Sequence, residues 1–311
     1  MSKIAAIIPT YKRIDALRKS LQRIKSCSPA PDEIIVHVDA NDNETAEWLA
    51  LNHPDVVRLS SDTPMGPGGG RNKLIRKSSC KFIASFDDDS WPTHDNFFAE
   101  AVSILNSHKQ VSLVGCKIIE GDLLESQSPE PDGIIQASSF VGCGCVFRRD
   151  DVIAAGSYVP MQFAYGMEEL DVGLRMLETG MTLAYSSRLE VFHDCNRAAK
   201  HSLTKNNACQ ITNTALLPFL RYPLRYWPYA LLQVANRVKF CLVTGRYAGI
   251  ISGLLRIPYK CWQYRSHRSP VSKETIHRFL KLRRGGPIPI EPGADASVHD
   301  NSHPELQTTR S

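Results

Sequence analysis

The first ninety residues alternate short apolar runs with helical patterns, and this alternation restricts the fold more than any other feature of the chain. Ile4 to Pro9 reads as a buried strand. Ile14, Leu17, Leu21 and Ile24 then recur at helical spacing, with Asp15 and basic residues outward. Glu33 to Val38 is a second strand ending in Asp39, Thr45 to Leu51 a second helix, and Val56 to Leu59 a third strand. A β-α-β-α-β order predicts an α/β fold with a mostly parallel sheet flanked by helices.

A fourth strand, Lys81 to Phe86, runs directly into Asp87-Asp88-Asp89. Open α/β sheets build sites for charged ligands where strands deliver residues from their carboxyl ends. Along an extended backbone Asp87 and Asp89 share a side, so they can grip one divalent cation while Asp88 points away. A solvated acidic turn is the other reading. Before this strand, Pro64-Met65-Gly66-Pro67-Gly68-Gly69-Gly70 reads as a glycine-rich loop, with Arg71 opening a helix to about Ser78. It has neither the phosphate-loop nor the dinucleotide spacing of glycines. It offers close backbone approach and an Arg at a helix start, an anion seat, or else an ordinary turn.

Trp91-Pro92 is expected to close a turn, and Asp95 to Ser107 a helix buried through Phe97, Phe98, Ala101, Val102 and Leu105. Val111 to Ile119 and Ile134 to Phe147 read as strands separated by the Pro- and acid-rich loop Glu120 to Gly133, and Gly142-Cys143-Gly144 would let backbone pass close to a sugar or diphosphate. A second carboxylate cluster lies in Gly166 to Arg175. Leu170, Leu174 and Leu177 mark a buried helix face, and Glu168, Asp171 and Arg175 an internal ion-pair set. Glu169 falls about 100° around the helix from Glu168 and can face a cleft alone. The helix dipole also favours a carboxylate there, so an acidic first turn without a chemical role is the alternative.

The 311 residues, 42% of them apolar, suffice for one large or two small domains. Charge is uneven. Between Arg197 and Arg284, 17 Lys and Arg stand against one acid, Glu274, so the rest of the chain is net acidic. Such asymmetry points to a polyanionic partner, a membrane face or nucleic acid. The nine cysteines form no C-x-x-C pair and are read as reduced thiols, with His193-Asp194-Cys195 a weak zinc motif. The apolar start of the chain is too short for a signal peptide or a span, which predicts a cytoplasmic active part.

From Thr214 to Ala235 prolines and arginines interrupt an aromatic, apolar segment, and Tyr259 to Arg265 repeats the mix. No clean spanning helix fits, whereas a segment lying in the membrane interface does. Packing of a basic subdomain and nucleic-acid binding are the other readings. Gly285 to Ser311, rich in proline and without periodicity, is expected to be a disordered tail. The expected organisation is therefore residues 1–200 as the main domain, 201–284 as a basic aromatic helical extension, and 285–311 as the tail.

Taken in order, these stretches resemble the inverting nucleotide-sugar glycosyltransferases of family 2. The resemblance rests on Ile7-Ile8-Pro9-Thr10-Tyr11-Lys12-Arg13, on Glu33 to Val36 with Asp39 and Thr45, and on Gly70-Arg71-Asn72. It continues through Phe86-Asp87-Asp88-Asp89 with Pro92, Glu168-Glu169-Leu170-Asp171 with Arg175, and Val191-Phe192-His193. It implies a GT-A-type, Rossmann-like sheet over about residues 3 to 195. It also implies that Thr10, Asp39, Arg71 and Asp87 bind the nucleotide-sugar donor, that Asp87 and Asp89 hold Mg²⁺ or Mn²⁺, and that Glu169 is the general base. His193 would lie by the metal or be structural. Three positions depart from the family pattern: Val38 replaces the first of two acids, Glu169 stands where Asp is commoner, and Gly68-Gly69-Gly70 replaces a run with alanine.

The expected activity is metal-assisted single displacement onto a hydroxyl of a lipid-linked or membrane-proximal glycan. The protein would be cytoplasmic and peripheral on an anionic inner membrane face, without nucleic acid. A metal-dependent nucleotidyltransferase and a non-catalytic nucleotide-sugar or membrane-binding module are the alternatives. Glu168 rivals Glu169 as base.

Overall fold

The computed structural model describes residues 3–120, 133–161, 167–194 and 204–293. In chain order its elements are β1 (Ile4–Thr10), α1 (Ile14–Ser26), β2 (Glu33–Val38), α2 (Asn43–Asn52), β3 (Val57–Ser60), α3 (Gly66–Lys77), β4 (Phe82–Phe86), β5 (Ser90–Pro92), α4 (Phe97–Ser107) and β6 (Val111–Glu120). Then follow β7 (Ile134–Gln136), β8 (Gly144–Arg148), α5 (Arg149–Ala154), α6 (Glu168–Glu178), β9 (Thr182–His193), α7 (Thr204–Arg221), α8 (Trp227–Val243), α9 (Ile250–Gln263) and α10 (Lys273–Arg284).

Among the described residues one sheet runs β3-β2-β1-β4-β8-β6-β9-β5, with β7 paired to β9. β1 to β4 are mutually parallel, β8 is inserted antiparallel between β4 and β6, and β6 runs parallel to β9. This is the mostly parallel sheet that the alternation implied. Successive residues of a strand face opposite sides, so Ile7, Ile35 and Ile83 enter one core and Ile8, Val36 and Ala84 the other. α1 and α4 cover the second core through Leu17, Leu21, Ile24, Phe97, Phe98 and Leu105.

The local structure departs from expectation in several places. Gly68, Gly69 and Gly70 are not a loop but the first turns of α3, and Arg71 lies inside that helix. The glycines are there because neighbours come too close for side chains. A Cβ on Gly68 would lie 2.5 Å from Glu168 Oε1, and one on Gly70 2.6 Å from His37 Nδ1. Ser90-Trp91-Pro92 is an edge strand on β9, not a turn, since an edge tolerates a proline without a missing ladder bond. Ile134 to Phe147 splits into β7 and β8. Leu170 is only half buried, and Glu168 turns away from Asp171 and Arg175, towards α3.

The basic extension packs into the main core. Leu216, Leu217 and Leu220 of α7 and Ile276 and Phe279 of α10 share a core with Ile7 and Leu74. Arg221, also buried, donates to Asp171 of α6, which holds Arg175 at 2.7 Å as well. The start of the expected tail is likewise ordered: the Gln136 N–H donates to Ile288 O and the Ile290 N–H to Ile134 O, both at 2.8 Å, continuing the sheet beyond β7. Residues 294–311 and most of the Glu120 to Gly133 loop lie outside the described residues, as do Gly166 and Cys195. The described cysteines are free thiols. Among the described residues no helix is long and apolar enough to cross a membrane.

Candidate active site

Parallel strands that end together put their following residues in one crevice. β1 ends in Thr10, β2 leads to Asp39 and β4 to Asp87. β8 runs the other way, and its register pairs Gly144 with Phe86, which brings Gly142 and Cys143 to the same edge. Across the sheet His193 pairs with both Glu120 and Ser90, so the end of β9 arrives there too. A cleft of about 620 Å³ opens at this edge, lined by Thr10, Arg13, His37, Asp39, Asp87 and Asp89 among others.

The three aspartates do not alternate as on a strand, because β4 stops at Phe86 and Asp87 to Asp89 turn. Strand alternation therefore does not place them, although Asp87 and Asp89 both come close to His193. Asp88 and Asp89 are instead bridged by one guanidinium, Arg13 Nη1 to Asp88 Oδ1 at 2.6 Å and Nη2 to Asp89 Oδ2 at 2.7 Å. The Thr10 hydroxyl donates to Asp88 Oδ2 at 2.9 Å. Burial pushes the Asp88 carboxyl up to about 7, opposed by Arg13. In the sequence Arg13 stands at the exit of β1, and a cation leaving the carboxyl end of a strand is the available signal for this bridge.

Asp87 bonds to Arg71, whose Nε also donates to Ser85 Oγ at 3.1 Å. Arg71 is buried, stacks near the Tyr158 ring at 5.9 Å, and has Glu168 Oε2 at 3.9 Å. Ser90 fixes the turn by accepting from the Asp87 N–H at 2.8 Å and donating to Cys143 O at 2.8 Å.

Asp39 caps α3. Its Oδ1 accepts from the Met65 N–H at 2.9 Å and its Oδ2 from the Gly66 N–H at 3.0 Å, an anion at the positive end of a helix dipole. It borders the cleft while occupied in this way.

The two glutamates of α6 diverge. Glu168 Oε1 accepts from the Gly68 N–H at 3.1 Å, and burial with Glu169 alongside pushes its carboxyl up to about 8. Glu169 Oε1 accepts from the Gly142 N–H at 3.2 Å. Burial raises the Glu169 pKa as well, against the pull of Arg71. The first turn of α6 thus gives one carboxylate to the Gly68 N–H of α3 and the other to the Gly142 N–H ahead of β8.

Asp87, Cys143 and His193 bring one ligand atom each within 4.8 Å of one another, and Asp89 Oδ1 lies 3.2 Å from His193 Nε2. Two carboxylates and an imidazole suit Mg²⁺ or Mn²⁺. Burial pushes the Cys143 thiol well above its usual pKa, and a thiol is a soft ligand that such hard ions do not favour. The residues present therefore fit a hard divalent cation held by oxygen and imidazole.

Residues 5–150 match the family model described as glycosyl transferase family 2. The amylovoran biosynthesis glycosyltransferase AmsE of Erwinia amylovora is 25% identical over 180 residues, 54% of this chain and 66% of that protein. A GalNAc(5)-diNAcBac-PP-undecaprenol beta-1,3-glucosyltransferase of Campylobacter jejuni is 28% identical over 109 residues, 34% of each chain. The chain thus spans less than two thirds of either relative's own length. Among solved structures, the mannosyltransferase PcManGT of Pyrobaculum calidifontis, in complex with GDP-Man and Mn²⁺, superposes with a TM-score of 0.55 at 15% identity, covering 91% of this chain and 87% of that one. That likeness establishes a shared fold.

Proposed function

The chain belongs to glycosyl transferase family 2 through residues 5–150, and from that premise we propose that it transfers a sugar from a nucleotide-sugar donor to a glycan hydroxyl by a single inverting displacement. The observation that carries this reading is the convergence at Gly142. A Cβ there would meet Glu169 Oε1 at 2.7 Å and Arg71 Nη2 at 3.3 Å, so the candidate base and the partner of Asp87 come together from distant parts of the chain at one backbone position.

Asp87, Asp89 and His193 would hold Mg²⁺ or Mn²⁺; the structural relative is a complex with Mn²⁺. The metal supplies charge neutralisation of the departing diphosphate. Arg13 bridges Asp88 and Asp89 and fixes their orientation, and Arg71 does the same for Asp87. Thr10 and Asp39 border the nucleotide, with Asp39 also anchoring the first turn of α3. Glu169 takes the proton of the attacking hydroxyl at its carboxylate oxygen, and its raised pKa makes it a stronger base than an exposed glutamate. The Gly142 N–H orients it. The attacking oxygen bonds to the anomeric carbon as the bond to the diphosphate breaks, and configuration inverts.

The acceptor is proposed to be a lipid-linked or membrane-proximal glycan, the class of substrate named for the Campylobacter relative. The exposed apolar and aromatic residues Leu231, Leu255, Tyr259 and Trp262, amid basic neighbours, support a peripheral position on an anionic membrane face. The nucleotidyltransferase reading finds no use for a carboxylate at Glu169, and the binding-module reading none for its hydrogen bond to Gly142. Release of nucleotide from a panel of donors, with Mn²⁺ or with a chelator, tests the proposal. Binding of nucleotide without turnover of any donor would favour the binding module.

A further inference from the structure

A second, larger cleft of about 830 Å³ lies between α7, α8 and α10, away from the aspartates. Leu170, which follows Glu169 in α6, is among its lining residues. Three arginines line it, Arg237, Arg246 and Arg283, together with the amides of Gln210, Asn213, Gln233 and Asn236. No acidic residue does so among the described residues. A cavity that gathers cations without a counter-charge is prepared for an anion.

Two of the arginines are held in place. Arg237 and Arg246 flank the same ring, each with its guanidinium carbon 5.4 Å from the centre of Phe240. Arg237 Nε is buried without a hydrogen-bond partner. An unmet guanidinium N–H inside a cleft is costly, and an oxyanion would satisfy it. Burial pulls the Arg237 pKa down, Cys241 opposes this and Arg246 adds to it, consistent with two like charges facing one space. The turn carrying Arg246 is fixed by Asn207, whose side chain donates to Arg246 O at 2.8 Å and Ala248 O at 2.7 Å.

The remaining lining identifies what the anion is attached to. Tyr222, Tyr229 and Phe240 offer ring faces and the amides offer paired donors and acceptors, the surface a sugar uses. Phe240 is also partly exposed, and Leu242 and Val243, which follow it on α8, are exposed apolar residues. The cleft thus combines amides, aromatic rings and cations in one lining.

We propose that this cleft binds the phosphate or diphosphate ester joining the glycan acceptor to its apolar carrier, with Arg237 and Arg246 as the cationic ligands. The inference rests on the glycosyl-transfer reading for the meaning of "acceptor", but the binding it asserts is measured without any donor. The glycan end would lie towards Leu170 and the carrier would leave past Phe240 to the membrane face. Arg–phosphate contacts of this kind contribute about tenfold each to affinity.

The test is calorimetric titration of the full chain with farnesyl diphosphate below its aggregation limit. A chelator is present so that the aspartate site cannot take the diphosphate through a metal. Inorganic diphosphate and farnesol are titrated alongside. Farnesyl diphosphate should bind more tightly than either, and Arg237→Gln with Arg246→Gln should weaken it about hundredfold. Arg237→Lys, which keeps the charge, should lose less than tenfold. Thermal unfolding checks the double variant, and Arg246→Gln alone, in a turn, serves if the double variant misfolds. The proposal is overturned if wild type does not bind farnesyl diphosphate, if farnesol or inorganic diphosphate binds as tightly, or if the glutamine variants bind as wild type does. Donor turnover is not read here, so an inactive transferase that binds farnesyl diphosphate would sink the catalytic reading and leave this site standing.

Discussion

The backbone N–H of Gly142 donates to Glu169 Oε1 across 3.2 Å, tying the approach to β8 to the first turn of α6. A side chain at residue 142 would have to displace that carboxylate, because its Cβ would sit 2.7 Å from the same oxygen. Gly142→Ala should therefore lower kcat by roughly 10- to 100-fold, the range expected when a catalytic group is misplaced by about 1 Å. The clash is with movable side-chain ends, so the unfolding midpoint should change little. Steady-state kinetics and a thermal melt on the same preparation check both halves.

Glu168 gives a stability prediction of definite sign. Its folded pKa is raised to about 8, so the folded state keeps the proton while the unfolded chain has lost it. Stability is present in full below the ordinary carboxylate pKa and is lost as pH rises towards about 8. Glu168→Gln is permanently neutral and escapes that loss. Its melting temperature relative to wild type should rise by several degrees, about 2 to 4 °C per kcal/mol, between pH 5 and pH 8.5. A difference that is flat with pH would show that Glu168 is not protonated in the fold.

Arg221 and Asp171, both buried, join α7 to α6. Arg221→Met leaves a buried carboxylate short of one partner, and breaking such a pair costs about 3 to 5 kcal/mol. A fall in melting temperature of roughly 10 °C is expected by differential scanning calorimetry. The same contact means that truncation before Thr204 would strip the core, so the membrane question needs surface substitutions instead.

Much of this was legible in the sequence because period-two and helical patterns mark a layered sheet directly. The strands through Phe86, the helix at Ile14 and the acidic clusters at Asp87 and Glu168 could be read one stretch at a time. What could not be read depends on partners far along the chain. Gly68 to Gly70 look like a loop until Glu168 and His37 are known to press on them, when their missing side chains become the condition for α3 packing. Asp39 reads as a ligand contact, but that α3 also begins at its carboxylate depends on Met65 and Gly66 some 26 residues away. Arg221 and Leu220 look like interfacial residues because Asp171 and Ile7 are nowhere near them in sequence. Ile288 and Ile290 have no periodicity, since two residues pairing with a short edge strand leave none to see.

The exposed face of α8 and α9 should bind anionic vesicles. Replacing Leu231, Leu255, Tyr259 and Trp262 together by serine removes apolar area without touching the core. Co-sedimentation with anionic vesicles should drop by tenfold or more, and wild-type binding should weaken as salt rises because exposed charges are screened within about 10 Å at 0.1 M. Equal sedimentation of wild type and variant would remove the membrane reading.

The central claim is that Glu169 is the base of a metal-dependent sugar transfer. It is tested most directly by nucleotide release and product formation for wild type, Glu169→Gln and Glu168→Gln on an accepted donor with Mn²⁺. Glu169→Gln should lose about 10²- to 10⁴-fold in kcat with donor affinity little changed. Glu168→Gln should stay within about tenfold of wild type, given the size expected of a base. Full transfer by Glu169→Gln would contradict the account.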